Sequence, residues 1–271
     1  MADDELRARR RHSFDEDPNN YQAARPGYPS RVYEVLAQCG LRAGARMLEV
    51  GPGTGQVTGR LTAAGASVVA VELGVGLAAR LRDNLAGQDV TVVEGDFCEV
   101  ELPGRDFDLA VCATAFHWLD AERAVRRLAA LVRAGGWLAV WWTVFGDPHR
   151  PMAWRAELQH LYHRWMPAES RDPTEVPAPM RVAERTAELA WGGLFGPVRV
   201  EVIRWDHPMT PAAARGLWAT FPNVRELDAV RRQAFLDGVA EVVAGQPGGV
   251  VVDHYATVLY TAERRAAAVR V

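Results

Sequence analysis

The amino-acid sequence predicts an α/β fold: a doubly wound, seven-stranded, mostly parallel sheet with helices on both faces and a helical insertion after the fifth strand. Three observations predict it. Short apolar or β-branched runs alternate five times with amphipathic segments of helical length, the pattern of a parallel sheet wrapped by helices. The runs are apolar throughout rather than alternating, as strands covered on both faces are. A glycine-rich turn, Gly51-Pro52-Gly53-Thr54-Gly55, joins the first run to the helix after it.

In chain order, Arg7, Arg9, Arg10 and Arg11 are flanked by Asp3, Asp4, Glu5, Asp15, Glu16 and Asp17, a charge density that predicts a solvated, flexible tail over 1–20. Two prolines and a glycine within Tyr21–Pro29 mark a turn, and a helix is predicted around Val32–Ala37. Strands are predicted at Met47–Val50, Ser67–Glu72, Val90–Glu94, Phe107–Ala113 and Trp137–Thr143, with helices at Gly76–Leu85 and Ala121–Arg133. Gly135-Gly136 is expected to close the second of these helices. The rhythm breaks at Pro148–Gly196, where helices at Trp154–Trp165 and about Val182–Trp191 flank a loop holding Pro173, Pro177 and Pro179. Residues 148–196 are therefore read as an insertion, or a cap over a substrate pocket. Strands at Val198–Trp205 and Val250–Leu259, separated by helices near Pro211–Thr220 and Val224–Val243, complete a single domain over 21–271.

Composition narrows the chemistry. All 31 basic residues among the 271 are arginine, which excludes a Schiff-base lysine, a P-loop lysine and a protein-kinase lysine. A formal net charge of -3 disfavours nucleic acid as a partner, since phosphate-backbone binders carry basic patches. The first thirty residues have no apolar stretch of signal-peptide type, and no run reaches membrane-spanning length. The expectation is a cytoplasmic protein with no membrane partner. Cys39, Cys98 and Cys112 are odd in number and set among apolar residues, as small core side chains are. Glu157, His160 and His163 share a helix face at ligand-like spacing, but no fourth ligand stands at a convincing distance in sequence, so no metal site is predicted.

The glycine turn carries the functional signal. Its spacing is G-x-G-x-G with Glu49 ahead, whereas a dinucleotide fingerprint needs a further glycine where Gln56 stands. Glu72 ends the second strand, where a carboxylate can accept hydrogen bonds from both hydroxyls of a ribose. Asp96 and Phe97 follow the third strand, an acid and a ring suited to the exocyclic amine and face of adenine. Each has a plainer reading: Glu72 as a loop charge, Asp96 as a turn or cap residue, Phe97 as core. Together, at the carboxyl ends of three successive strands, they predict an adenosine site.

At EVGPGTGQ (Glu49–Gln56), VVAVELG around Glu72, EGDF (Glu94–Phe97), FDLAVCATAFHWLD (Phe107–Asp120), RAGGWLAVW (Arg133–Trp141) and YQAARPGYP, the sequence resembles class I S-adenosylmethionine-dependent methyltransferases. Within them it is similar to the small-molecule branch of trans-aconitate methyltransferase and its relatives. The resemblance covers most of the chain and weakens after about residue 145. It implies a Rossmann-like fold and S-adenosyl-L-methionine as cofactor. Gly51, Gly53 and Gly55 would line the methionine moiety and ribose with Glu49 supporting the turn, and Gln56 follows in the same motif. Glu72 would hold the ribose hydroxyls, Leu73 would lie beside adenine, and Asp96 and Phe97 would hold adenine. Ala113 and Thr114 would border the methionine portion. Tyr21 and Arg25 match a segment that often closes over the cofactor, where Arg25 either meets a carboxylate or braces the segment.

Methyl transfer from a sulfonium is an in-line displacement, so positioning supplies much of the catalysis. His117, after the fourth strand, is the candidate catalytic residue, since a histidine there can take a proton near neutral pH. The alternative is that His117 and Trp118 form a first helical turn and hold the loop. Trp141, Trp142, Phe145, Trp154 and Trp165 either wall a pocket for an aromatic or apolar small molecule or belong to the core. Three rival readings remain: a protein that binds the cofactor but catalyses a non-methylating reaction such as a cyclisation, an NAD-dependent oxidoreductase, and a methyltransferase acting on RNA or protein. Gln56 and the Asp96–Phe97 pair disfavour the second; the acidic balance and the lack of a recognisable recognition domain disfavour the third.

Overall fold

The computed structural model describes residues 2–169 and 175–266; Pro173 of the expected proline-rich loop lies outside the described residues. In chain order the elements are α1 (Ala2–Ser13), α2 (Pro18–Ala24), α3 (Ser30–Gln38), β1 (Arg46–Val50), α4 (Thr58–Ala63), β2 (Ser67–Glu72), α5 (Val75–Asn84), β3 (Val90–Glu94), β4 (Phe107–Ala113), α6 (Ala121–Leu131), β5 (Val132–Phe145), α7 (Ala153–Trp165), α8 (Val182–Leu189), β6 (Arg199–Met209), α9 (Pro211–Trp218), α10 (Pro222–Arg225), α11 (Ala229–Ala244) and β7 (Val251–Glu263). The seven strands form one sheet in the order β3-β2-β1-β4-β5-β7-β6, and β1 pairs parallel with both β2 and β4, β2 with β3, and β4 with β5. The strand order reverses between β1 and β4. In an open sheet of this kind the crevice beyond the carboxyl ends of those two strands is where ligands bind.

The chain divides into two compact units. One, here the glycine-turn unit, comprises Gly27–Thr143, Pro179–Ile203 and Thr257–Val271; the other, the aromatic unit, comprises Met1–Pro26, Val144–Ala178 and Arg204–Ala256. The expected insertion, residues 148–196, falls partly in each. In the glycine-turn unit, Val32 and Leu36 of α3, Leu61 of α4 and Leu81 of α5 pack with Met47, Val68, Leu109 and Trp141 of the sheet in one buried cluster. Each such aliphatic side chain contributes about 1.5–3 kcal/mol by leaving water. In the aromatic unit the corresponding cluster centres on Trp154, Trp218, Phe235 and Tyr255. There the buried carboxylates are paired: Asp253, with no exposed side-chain surface, with Arg155, and Asp147 with Arg204 at 2.7 Å, as charges removed from water must be.

Several elements differ from expectation for identifiable reasons. Residues expected to form a charged tail are helical in α1, where Arg10 donates to Glu226 at 3.0 Å and to Glu169 at 2.5 Å. Gly135-Gly136 does not end a helix; α6 stops at Leu131 and both glycines lie inside β5. Between them and β4 the register jumps, Phe107 facing Val132 but Leu109 facing Trp137. Gly135 has φ 72°, and a Cβ on Gly136 would sit 2.8 Å from the Asp108 carbonyl, so the irregularity needs glycine at both positions. The helix expected over Val224–Val243 is two helices, because Asp228 caps a new one by accepting from the Arg231 N–H at 2.9 Å. β3 is apolar in sequence yet only half-covered, because it is the outermost strand.

Candidate functional site

β1 is buried from Met47 to its end at Val50, where the backbone turns through Gly51, Gly53 and Gly55, with φ of 70°, 60° and 99°. Gly51 is the position that tolerates no side chain. A Cβ there would lie 2.5 Å from the Cβ of Ala115, in the loop after β4, so the absence of that carbon lets two neighbouring loops approach at the strand-order reversal. Gly51→Ala combines a left-handed backbone with this collision and is expected to cost about 2–4 kcal/mol. A urea midpoint equal to wild type would show that the loop yields freely.

Glu72, buried at the end of β2, holds the turn from the other side. One carboxylate oxygen accepts from the Gly53 N–H at 2.9 Å and the other from the Gly74 N–H at 3.0 Å. The Gly95 N–H donates to the Glu72 carbonyl at 2.9 Å, which brings Asp96 to the same edge. The side chain of Asn84, at the end of α5, donates to the Thr54 carbonyl at 2.8 Å. The turn is therefore pinned from two separate elements, β2 and α5.

Glu49 lies beneath this turn, 1% exposed. Burial pushes its carboxyl up to about 8, the neighbouring Glu72 charge adds to that push, and the Thr58 hydroxyl opposes it without reaching hydrogen-bond alignment. The Thr54 hydroxyl and the Gln56 side-chain amide are likewise buried with no hydrogen-bond partner among the described residues. A cradle with the Glu72 carboxylate at its edge, a side-chain-free Gly51, and buried polar atoms of Thr54 and Gln56 without hydrogen-bond partners among the described residues fits a nucleoside carrying a polar amino-acid tail.

The remaining candidates separate. Asp96 accepts from the Cys98 N–H at 2.8 Å with one oxygen, acting as a turn residue while the other oxygen is oriented by that bond. Phe97 is 1% exposed, with the Arg127 guanidinium 5.3 Å from its ring. Its ring is buried with the core side chains. Leu73 and Ala113 are half-buried. Thr114 adopts φ 53°, unusual for a β-branched residue and the sort of strain found at functional loops. Its N–H donates to the Trp141 carbonyl at 2.7 Å, and its hydroxyl bonds the Tyr28 hydroxyl at 3.0 Å. Tyr28 was not singled out from sequence, although it stands in the Tyr21–Pro29 segment; only the fold brings it to the end of β4.

His117 is exposed in a 3-10 turn, Phe116–Trp118, ahead of α6, which Asp120 caps by accepting from the Arg123 N–H at 2.8 Å. The indole N–H of Trp142 donates to His117 Nδ1 at 2.9 Å. Tyr21 and Arg25 lie in the aromatic unit, where the Arg25 guanidinium is 5.1–5.7 Å from the rings of Phe14, Tyr21, Phe145 and Phe221 and Nη2 donates to the Thr220 carbonyl at 3.4 Å. That is the packing of a bracing residue. Of the expected pocket aromatics, Trp141, Trp142 and Trp154 are buried core side chains, while Phe145 and Trp165 are half-covered. Cys39 and Cys112 are buried, and burial raises both thiols, the reverse of what a nucleophile needs. Among the described residues no group of three or more His, Cys, Asp or Glu could hold a metal ion, and no helix is long and apolar enough to cross a membrane.

Comparison with known proteins bears on this geometry. A family model described as a methyltransferase domain matches residues 48–140, from β1 through the glycine turn and Glu72 into β5. An uncharacterized methyltransferase of Mycobacterium tuberculosis is 28% identical over 235 residues, covering 87% of each chain. An uncharacterized methyltransferase of a Geobacillus species is 31% identical over 144 residues, 49% of this chain and 67% of that one. The solved Haemonchus contortus phosphoethanolamine N-methyltransferase 2, in complex with phosphomonomethylethanolamine and S-adenosylhomocysteine, shares the fold with a TM-score of 0.55 and 16% identity, over 93% of this chain and 58% of that chain. With the strand order and the glycine turn already on the same footing, these similarities show that the chain belongs to the class I S-adenosylmethionine-dependent methyltransferases.

Proposed function

We propose that this methyltransferase acts on a small molecule, placing the methyl group on an O, N or C atom, in the manner of secondary-metabolic enzymes of a cytoplasmic setting. The observation that carries the cofactor side is the Glu72 carboxylate, fixed at the end of β2 by the Gly53 and Gly74 N–H groups beside the glycine turn. In this reading Glu72 accepts from the ribose hydroxyls, Asp96 faces the adenine amine with Leu73 alongside, and Gly51, Gly53, Gly55 and Gln56 with Glu49 surround the amino-acid tail. Ala113 and Thr114 border that tail from the end of β4. The small-molecule side is supported by the acidic balance of the chain, net -3, which offers no general surface for a polyanion.

When bound, S-adenosylmethionine supplies an electrophilic methyl carbon on a sulfonium. The chain's own contribution is alignment. Side chains held by backbone hydrogen bonds, as Glu72 and Thr114 are, keep a bound nucleoside from drifting, and alignment of two reactants is worth several kcal/mol of barrier. Calorimetry with S-adenosylmethionine and with S-adenosylhomocysteine is expected to show 1:1 binding of both. A panel of small aromatic and apolar acceptors with radiolabelled cofactor then reads the transfer. Absence of heat with either nucleoside would sink the cofactor assignment, while binding with transfer only to protein or RNA would sink the small-molecule assignment.

A further inference from the structure

The hydroxyl of Tyr28 joins the approach to α3 to the loop after β4, both within the glycine-turn unit. Tyr28 stands ahead of Pro29, and a residue before proline is held near extended backbone. Pro29 leads into α3, whose Val32, Val35 and Leu36 are buried in the same cluster as Trp141. The Tyr28 ring meets the Trp141 indole edge-on, 5.5 Å between centroids and 88° between planes, and its hydroxyl lies 3.0 Å from the Thr114 hydroxyl. The ring is anchored on the core while the hydroxyl reaches the loop. There Thr114 is in left-handed backbone, φ 53°, a conformation disfavoured for a β-branched side chain and kept only where neighbours impose it. The Trp141 carbonyl, accepting from the Thr114 N–H at 2.7 Å, holds its backbone, and the Tyr28 hydroxyl holds its side chain. Ala115 follows directly, and its Cβ is the atom that a side chain on Gly51 would strike at 2.5 Å. The conformation of Thr114 therefore decides how closely this loop approaches the glycine turn.

We infer that Tyr28 is a positioning residue: by bonding Thr114 it holds the loop after β4 against the glycine turn before a ligand arrives, and so sets the affinity for the amino-acid tail of the cofactor. This rests on the reading in which Gly51 and Thr114 border that tail and Glu72 meets the ribose. The bond is present with and without ligand, so it adds no contact on binding; what it changes is a population. Without the Tyr28 hydroxyl, Thr114 relaxes toward ordinary backbone in the free protein, the tail binds only the fraction still in place, and the apparent affinity falls by that fraction. A neutral hydrogen bond shifts such an equilibrium by about three- to tenfold. The ribose end is fixed independently, by the Gly53 and Gly74 N–H groups on Glu72, so a nucleoside without a tail is spared.

Tyr28→Phe keeps the ring on Trp141 and removes the hydroxyl. Calorimetry of the full chain, wild type and variant, with S-adenosylhomocysteine, which carries the tail, and with adenosine, which lacks it, reads the effect. The expected result is a loss of about three- to tenfold for S-adenosylhomocysteine, with adenosine within about twofold of wild type. Equal losses for both ligands, as a general loosening would give, or no loss for either overturns the inference. A cycle with Thr114→Val, which keeps the branched shape without the hydroxyl, decides by itself where adenosine binds too weakly to titrate. The double variant is expected to bind S-adenosylhomocysteine no more weakly than Thr114→Val alone, and losses that multiply overturn the inference. Should Tyr28→Phe not fold, as thermal unfolding would reveal, Thr114→Val with the two ligands reads the same bond from its other end. Wild type tests the underlying reading separately: S-adenosylhomocysteine bound no more tightly than adenosine removes the tail from Gly51 and Thr114, whereas a preference for S-adenosylhomocysteine that survives in full in Tyr28→Phe removes the inference alone.

Discussion

Glu72→Gln lowers the affinity for S-adenosylhomocysteine by about 100-fold or more, a loss larger than the near-identical shape of the two side chains suggests. The substitution acts in two places. Both carboxylate oxygens accept backbone N–H groups, from Gly53 and from Gly74. A glutamine has one acceptor oxygen, so whichever way the amide turns, its NH₂ faces one of those N–H groups. One donor in a buried turn then loses its partner, at about 1–3 kcal/mol. The same substitution removes the negative charge that strengthens bonds to ribose hydroxyls, and charge-assisted bonds are worth about 1.5–3 kcal/mol each. The second effect sets the affinity, because the unpaired donor is carried by the free and the bound protein alike and lowers folding stability. Calorimetric titration of Glu72→Gln beside wild type measures the ligand part, and an affinity within about threefold of wild type would mean that neither oxygen meets the ribose. Urea midpoints of the same two proteins measure the part that acts on the turn.

The two roles of Glu72 show how far the sequence can be read. Its place at the end of the second strand followed from the apolar run Ser67–Val71, and a carboxylate there pointed to ribose. What periodicity does not carry is that Gly53 and Gly74 donate to it, since those bonds depend on how two loops fold back. The sheet was legible because buried parallel strands are continuous apolar runs, and β2, β3 and β4 match their expected bounds. β5 was shortened to Trp137–Thr143 because Gly135-Gly136 has the chemistry of a helix end; only the register jump against Phe107 and Leu109 shows why two glycines sit in a strand. The charged N-terminal residues were misjudged for a different reason. Arg10 there is bonded to Glu169 and Glu226, more than 150 positions away in sequence, and no local pattern reports a partner so distant. Phe97 was assigned by its neighbour: an aromatic after Asp96 suits adenine as well as core, and burial under Arg127 separates the two only in three dimensions.

Stability should fall as pH rises from about 6 to about 8.5, and Glu49→Gln should abolish most of that fall. Glu49 sits between α4 and the sheet with its carboxyl pushed up to about 8, first by burial and then by the Glu72 charge. Its own charge acts in turn on Tyr33 of α3 and Cys112 of β4, both raised first by burial and then by Glu49. No cation is among the groups that shift it, and the Thr58 hydroxyl is the single influence favouring ionisation. In the unfolded chain Glu49 ionises near its ordinary value of 4.5. Between 4.5 and about 8 the folded state therefore holds a proton that the unfolded state has released. Its contribution to stability is complete below the unfolded value, declines by about 1.4 kcal/mol per pH unit across the window, and is gone above the folded value. From pH 6 to 8 the loss is about 2–3 kcal/mol. Glutamine keeps the shape and cannot ionise, so Glu49→Gln should match wild type at low pH and exceed it at pH 8.5. Urea midpoints of the two proteins at pH 6 and pH 8.5 decide the matter: a gap that widens with pH is the expected result, and parallel behaviour would place an unseen counter-charge beside the carboxylate. The same argument gives Glu49 a place in cofactor binding. A neutral acid under the glycine turn leaves Glu72 as the charged group there, and a cationic ligand that draws the Glu49 proton off would bind more tightly as pH rises, an effect absent in Glu49→Gln.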